Sequence, residues 1–279
     1  MDFVGGITLH MTLWNKQASK WDLIGAPLRP SPADIENHIE WIKEFSHRKN
    51  LSVLLCGVTP EIVHIPWPKQ TKFIAVDNNP AMLKSVLPQQ TSHIKPLGLR
   101  ANWIDLPLPS SSVDLVIGDG CYTLLKFSDY AVMTREIRRV LKSDGMFSIR
   151  FFLQPEIRDS LDKIKLEISS KKISSFHAFK LQLAMALHQS QNGVRLGDIW
   201  DCWNIQFREL VDEHKIELQW RDEEINTIDN YHDSSVYYSF PPLSEISEVL
   251  NKNFLINKTF IPDYFLGDRC RTLQLRPQT

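Results

Sequence analysis

Two short apolar runs about twenty residues apart constrain this chain more than any other feature. The first, Leu51 to Cys56 in LSVLLCGVTPE, stops at Gly57, and the second, Lys72 to Val76 in KFIAVD, stops at Asp77. A strand, a glycine, a helical connection and a second strand ending in an acid is the pattern of the first β-α-β unit of a nucleotide-binding parallel sheet. The glycine lets the backbone approach a ligand after strand 1. The acid at the tip of strand 2 accepts hydrogen bonds from ribose hydroxyls. The glycines that cradle a pyrophosphate are missing, because Val58, Thr59, Pro60 and Glu61 follow Gly57. This spelling favours a nucleoside without phosphates, and Thr59-Pro60 reads as the start of the following helix.

The alternation continues downstream. Ser31-Pro32-Ala33-Asp34 opens a helix carrying Ile35, Ile39, Ile42 and Phe45. Asn79-Pro80 opens another, carrying Met82, Leu83 and Val86, which Pro88 stops. Strands are expected at Gly98 to Trp103, Asp114 to Gly118 and Met146 to Leu153. A helix is expected from Tyr130 to Leu141, with Lys142-Ser143-Asp144-Gly145 as its stop and turn. Strands alternating with helices imply a parallel sheet covered on both faces. After Pro155 the rhythm changes to about 70 residues of helical pattern with no strand-like run. A helix from Pro242 to Leu250 and two terminal strands, FLINKTFIP and RTLQLRP, close the chain as an antiparallel hairpin.

Composition removes several function classes. A formal net charge of -1 gives no basic excess for a nucleic-acid partner. No apolar run is long enough for a membrane span, and MDFVGGITLHMTLWNK lacks the basic start of a secretory signal. Four widely spaced cysteines without a CxxC pair read as reduced thiols, so a cytoplasmic location is expected. The nine histidines form no HExxH and no cluster with cysteine, so no metal site is expected. The absence of GxSxG leaves a serine hydrolase unsupported.

Four segments together carry a resemblance: VLLCGVTPE (Val53 to Glu61), FIAVDNNPAML (Phe73 to Leu83), RANWIDLPLPSSSVDLVIGDG (Arg100 to Gly120) and REIRRVLKSDGMFSIRFF (Arg135 to Phe152). In order and spacing the chain resembles the class I S-adenosylmethionine-dependent methyltransferases, as a variant with GVTPE in place of the glycine-rich motif. The resemblance implies a Rossmann-like α/β sandwich: a mostly parallel seven-stranded sheet, an antiparallel C-terminal hairpin and a helical insert after strand 5. It divides the chain into a lead-in or lid (1–34), a cofactor-binding core (35–154), a mainly helical acceptor cap (155–235) and a C-terminal part completing the core (236–279). It implies S-adenosylmethionine as cofactor and a small-molecule methyl acceptor, and leaves the acceptor and the oligomeric state open.

The resemblance also implies site residues. Gly57 and Thr59 form the cofactor loop, Asp77 holds the ribose, and Asn78 and Met82 flank the adenine. Asn102 bonds the adenine edge and Trp103 covers it. Asp119 and Gly120 end strand 4 at the carboxyl edge of the sheet, and Asp119 and Tyr122 are the catalytic candidates. Arg29 is a candidate clamp for the acceptor or the cofactor's carboxylate, and Tyr122 a second acceptor contact. Plain structural alternatives stand beside these: a turn glycine at 57, a helix-capping acid at 77, core packing at Met82 and Trp103, and an exposed loop arginine at 29. Trp200, Trp203 and Phe207 at helical spacing read first as core. Two other functions stand beside the enzyme. One is a non-catalytic nucleoside-binding protein of the same fold, favoured by the eroded glycine loop. The other is a nicotinamide-dependent oxidoreductase, disfavoured by the same loop.

Overall fold

The alternation of side chains along the first strand sets the architecture. In the computed structural model, which describes residues 13–188 and 193–278, Leu51 to Cys56 delivers β1 (Ser52–Cys56). Leu54 and Cys56 face one apolar core, Val53 and Leu55 the other, and all four are buried. A strand buried on both faces belongs at the centre of a sheet. β1 pairs in parallel with β2 (Lys72–Asp77) on one side and β4 (Val113–Asp119) on the other. β3 (Leu97–Arg100) and β5 (Leu141–Arg150) extend the parallel array, while β8 (Phe254–Phe260) and β9 (Thr272–Pro277) run as an antiparallel pair beside β5. The order β3-β2-β1-β4-β5-β9-β8 makes one seven-stranded sheet with its order reversing at β1/β4. Such a reversal opens a crevice at the carboxyl ends of the strands.

One face is covered by α2 (Pro32–Ile42), α3 (Pro60–Val63) and α4 (Pro80–Ser85), the other by α5 (Phe127–Val140) and α12 (Leu243–Leu250). A short helix, α1 (13–19), precedes them. The start of α2 is a reciprocal cap: the Ser31 hydroxyl accepts from the Asp34 amide, and the Asp34 carboxylate accepts from the Ser31 amide at 2.8 Å.

The insert has its own core. α6 (Leu161–Ser169), α7 (Phe176–Leu187), α8 (Leu196–Cys202), a π-helical turn (Trp203–Phe207) and α9 (Arg208–Glu213) bury Phe176, Phe179, Trp203 and Phe207 completely. The ring of Phe179 lies 5.5 Å from that of Trp203 and 5.3 Å from that of Phe207. Each such side chain contributes about 1.5–3 kcal/mol by burial, and the same apolar core takes in Leu13, Phe152 and Leu266 from outside the insert. Trp200 is only half-buried, and its indole donates to Asp229.

Three expectations are corrected. The third strand ends at Arg100 rather than Trp103, because the Asn102 side chain accepts from the Ile104 amide and folds the chain into a turn. Lys142 to Gly145 is no free turn. α5 passes directly into β5, and the register jumps from Val113↔Leu141 to Leu115↔Met146, so these residues bulge within the strand while Lys142 Nζ donates to Asp114 at 2.8 Å. The region after Pro155 does contain a strand: β6 (Val194–Arg195) pairs antiparallel with β7 (Tyr237–Tyr238). Two residues are too few for a period to register in the sequence.

Candidate functional site

The carboxyl ends of β1, β2 and β4 open into a cavity of about 780 Å³. Its floor begins at Gly57. The backbone there has φ +107°, a conformation side chains resist, and the Gly57 amide donates to the Val76 carbonyl at 2.8 Å. The Trp103 indole donates to the same carbonyl at 2.7 Å. One strand-end oxygen thus fixes both the loop glycine and the aromatic wall beside it.

Asp77 stands at the tip of β2, with one carboxylate oxygen accepting from the Asn79 amide at 2.8 Å. Burial pushes its carboxyl up to about 6, against the pull of the Asn79 and Asn78 amides. Asn79 caps α4 by accepting from the Met82 amide at 3.0 Å, which turns Met82 into the wall of the cavity. At the end of β4, Gly120 takes the left-handed conformation (φ +63°), and a Cβ there would meet the Phe152 ring at 2.7 Å.

Asp119 lines the cavity but is not a free carboxylate. Arg150 Nε donates to it at 2.6 Å, Arg150 Nη1 donates to the Pro27 carbonyl at 2.8 Å, and the guanidinium lies over Phe152 at 5.0 Å. Burial alone would lower the Arg150 guanidinium; Asp119, by charge and hydrogen bond, together with Tyr264 and Asp34 outweighs this, and the net shift is upward. Burial also raises the Asp119 carboxyl against Arg150. The short contact to a cation fits the ionised carboxylate, so we take the pair as charged.

Gly57, Thr59, Asp77, Asn78, Met82, Asn102, Trp103, Asp119 and Gly120, nine residues picked out by sequence, all line this one cavity. Two others do not. Arg29 Nε donates to Glu61 at 2.6 Å, and its Nη1 donates to the carbonyls of Trp21 and Ile24. It ties the lead-in to α3 and is absent from the cavity wall. Tyr122 is buried in the core, its hydroxyl 2.8 Å from that of Thr134 and its ring against Tyr130 and Phe151. The 3₁₀ turn Cys121–Leu124 points it inward, so neither the catalytic nor the acceptor-binding assignment of Tyr122 survives.

The lead-in and the insert are expected over this edge from the sequence, which does not single out the residues that form the roof. Trp14, Trp21 and Leu28 come from the lead-in; Lys180, Leu181 and Ala184 from α7; Tyr231, Tyr238 and Phe240 from the chain after α9. The Ser239 amide donates to the Thr123 carbonyl at 2.9 Å, fastening this roof to the loop after β4. The insert therefore packs on the carboxyl edge of the sheet. Lys180 left one trace: it is the only Lys, Arg, Asp or Glu in Phe176–Leu187. Among the described residues no group of His, Cys, Asp and Glu is arranged to hold a metal ion, and no helix is long and apolar enough to cross a membrane.

Residues 55–149, from within β1 to within β5, match the family model described as a methyltransferase domain. The match spans about a third of the chain and supports the class I S-adenosylmethionine-dependent methyltransferase family for its core. The cofactor that goes with this family is S-adenosylmethionine. No curated protein matches the sequence. Among solved structures, the methyltransferase core and its additions resemble a protein described as a zinc-dependent alcohol dehydrogenase from Rhodobacter sphaeroides, at 13% identity and TM-score 0.55, over 95% of this chain and 98% of that one. An exported protein from Bordetella parapertussis is similar at 12% identity and TM-score 0.52, over 96% and 79%. A SAM-dependent methyltransferase from Methanosarcina mazei aligns at 13% identity and TM-score 0.49, over 88% and 97%. Identities this low speak to the fold alone.

Proposed function

We propose that this protein is an S-adenosylmethionine-dependent methyltransferase acting on a small molecule in a reducing, cytoplasmic setting. The observation that carries the reading is the single cavity. The strand ends of a methyltransferase core, the lead-in and the insert line the same space. A cofactor edge roofed in this way suits an acceptor that enters whole, not a segment of a macromolecule.

In this reading Asp77 accepts the ribose hydroxyls, and Trp103 and Met82 enclose the adenine, whose edge Asn102 bonds. The Gly57–Thr59 turn and Asp119 receive the methionyl end. The lead-in (1–34) is the lid, residues 155–235 are the acceptor cap, and residues 236–279 complete the sheet. When bound, the cofactor would supply an electrophilic methyl group on a sulfonium and be left as the neutral thioether, and a proton lost by the acceptor would go to solvent. Asp119 is engaged by Arg150, so its role is to orient rather than to take that proton. The work of the chain is alignment and exclusion of water by Trp21, Leu181 and Phe240.

The test is to incubate the protein with methyl-labelled cofactor and a small-molecule extract. Label in a small product supports the reading. Tight S-adenosylhomocysteine binding without transfer to any fraction favours the non-catalytic nucleoside-binding alternative. Transfer only to protein or nucleic acid overturns the acceptor class.

A further inference from the structure

Lys180 is 2% exposed. It is the only Lys, Arg, Asp or Glu of α7 and lines the cavity. Its ammonium donates to the Thr227 hydroxyl at 2.8 Å, and that hydroxyl in turn donates to the Glu224 carbonyl at 2.6 Å. Nζ also sits 5.4 Å from the Tyr231 ring centroid and 5.9 Å from that of Phe176. Among the described residues no carboxylate lies within ion-pair distance of it, and the charge that bears on it most is another cation, Lys20.

A buried lysine without a counter-ion is costly, and an apolar side chain of similar size would hold the roof together at least as well. Two of its three donor directions are left to the aromatic faces and the cavity. Burial pushes the group down to about 7, so it takes a full charge readily once an anion arrives. The same cavity is lined by Leu181, Ala184, Tyr238 and Phe240, walls suited to an apolar framework. The other cations of the cavity, Arg100 and Lys126, are exposed and belong to the sheet side. A single ammonium, with the Thr227 hydroxyl proton already donated to the Glu224 carbonyl, matches a monoanion better than a phosphate, which calls for several donors.

We infer that Lys180 is the anion anchor of the acceptor site and that the methyl acceptor is a carboxylic acid on an aromatic or branched aliphatic framework. The carboxylate is the handle, not the atom methylated. The inference rests on the methyltransferase reading above.

The experiment uses the full chain saturated with S-adenosylhomocysteine. Benzoate and benzamide, alike in shape but different in charge, are titrated by calorimetry into the wild type and into Lys180→Met. Benzoate is expected to bind the wild type more tightly than benzamide by roughly tenfold or more, the weight of a hydrogen bond to a charged group. In Lys180→Met that preference disappears while S-adenosylhomocysteine affinity stays. Equal binding of the two probes, or no benzoate binding by wild-type protein that holds S-adenosylhomocysteine, overturns the anchor and leaves the methyltransferase reading standing. Failure to bind S-adenosylhomocysteine overturns both. The wild-type comparison is decisive even if the variant does not fold.

Discussion

Arg150 Nε lies 2.6 Å from Asp119 Oδ1, and the pair joins the end of β5 to the end of β4 beneath the cavity. Both side chains are buried, and through Pro27 the same guanidinium also holds the lead-in. The floor of the cavity and the lead-in are therefore fastened at one cation.

Removing that cation leaves a buried carboxylate alone. Arg150→Met should lower the unfolding free energy by about 3–5 kcal/mol, read from urea unfolding. The double variant Asp119→Asn/Arg150→Met should recover part of the loss, because the orphaned charge is gone. A single variant as stable as wild type would show that the pair is not coupled as described.

Asp77→Ala should weaken S-adenosylmethionine binding by roughly 1.5–3 kcal/mol, the range for hydrogen bonds to a charged group. The pH dependence has a definite sign. Burial raises the folded carboxyl to about 6, so protonated Asp77 favours the empty folded protein at low pH. That contribution is full below the ordinary carboxylate value and fades as pH rises through about 6. Cofactor binding runs the other way, because the ribose hydroxyls need the carboxylate. Affinity should fall about tenfold per unit below pH ~6 and be flat above it, with Asp77→Asn losing the dependence. Titration calorimetry across this range checks both parts.

Gly57→Ala should destabilise the protein by about 1–3 kcal/mol through backbone strain. A Cβ there would have space, since its nearest neighbour is Trp103 at 4.0 Å, so the cost measures φ rather than a clash. Thermal unfolding at unchanged stability would mean that the loop adopts another conformation in solution.

NAD should not bind at millimolar concentration. Val58 and Ile62 are buried, and Pro60 has no amide to offer, so the loop has no nest for a pyrophosphate. Since the fold also resembles a protein described as an alcohol dehydrogenase, a fluorescence titration with NADH is a fair challenge to this expectation.

The elements that reach the cofactor edge were legible because burial on both faces writes itself into the sequence. Val53 to Cys56 and Phe73 to Val76 are continuous apolar runs, and each is followed by a residue that lines the cavity. Asn79 and Ser31 announce their helices because capping needs a short polar side chain beside a proline. What failed depended on partners distant in the chain. Arg29 reads as a loop cation until Glu61, 32 residues away, takes it. Tyr122 stands two residues after the strand-end Asp119-Gly120, but a 3₁₀ turn swings it toward Thr134. Lys180 sits in a helix whose sequence looks like packing material, and only tertiary folding buries it beside Thr227 and Tyr231.

The most direct test of the central claim is a calorimetric titration of the wild-type protein with S-adenosylhomocysteine. Saturable one-to-one binding that NAD does not compete away is expected. A folded protein that shows no binding, or one whose signal is abolished by NAD, would contradict it.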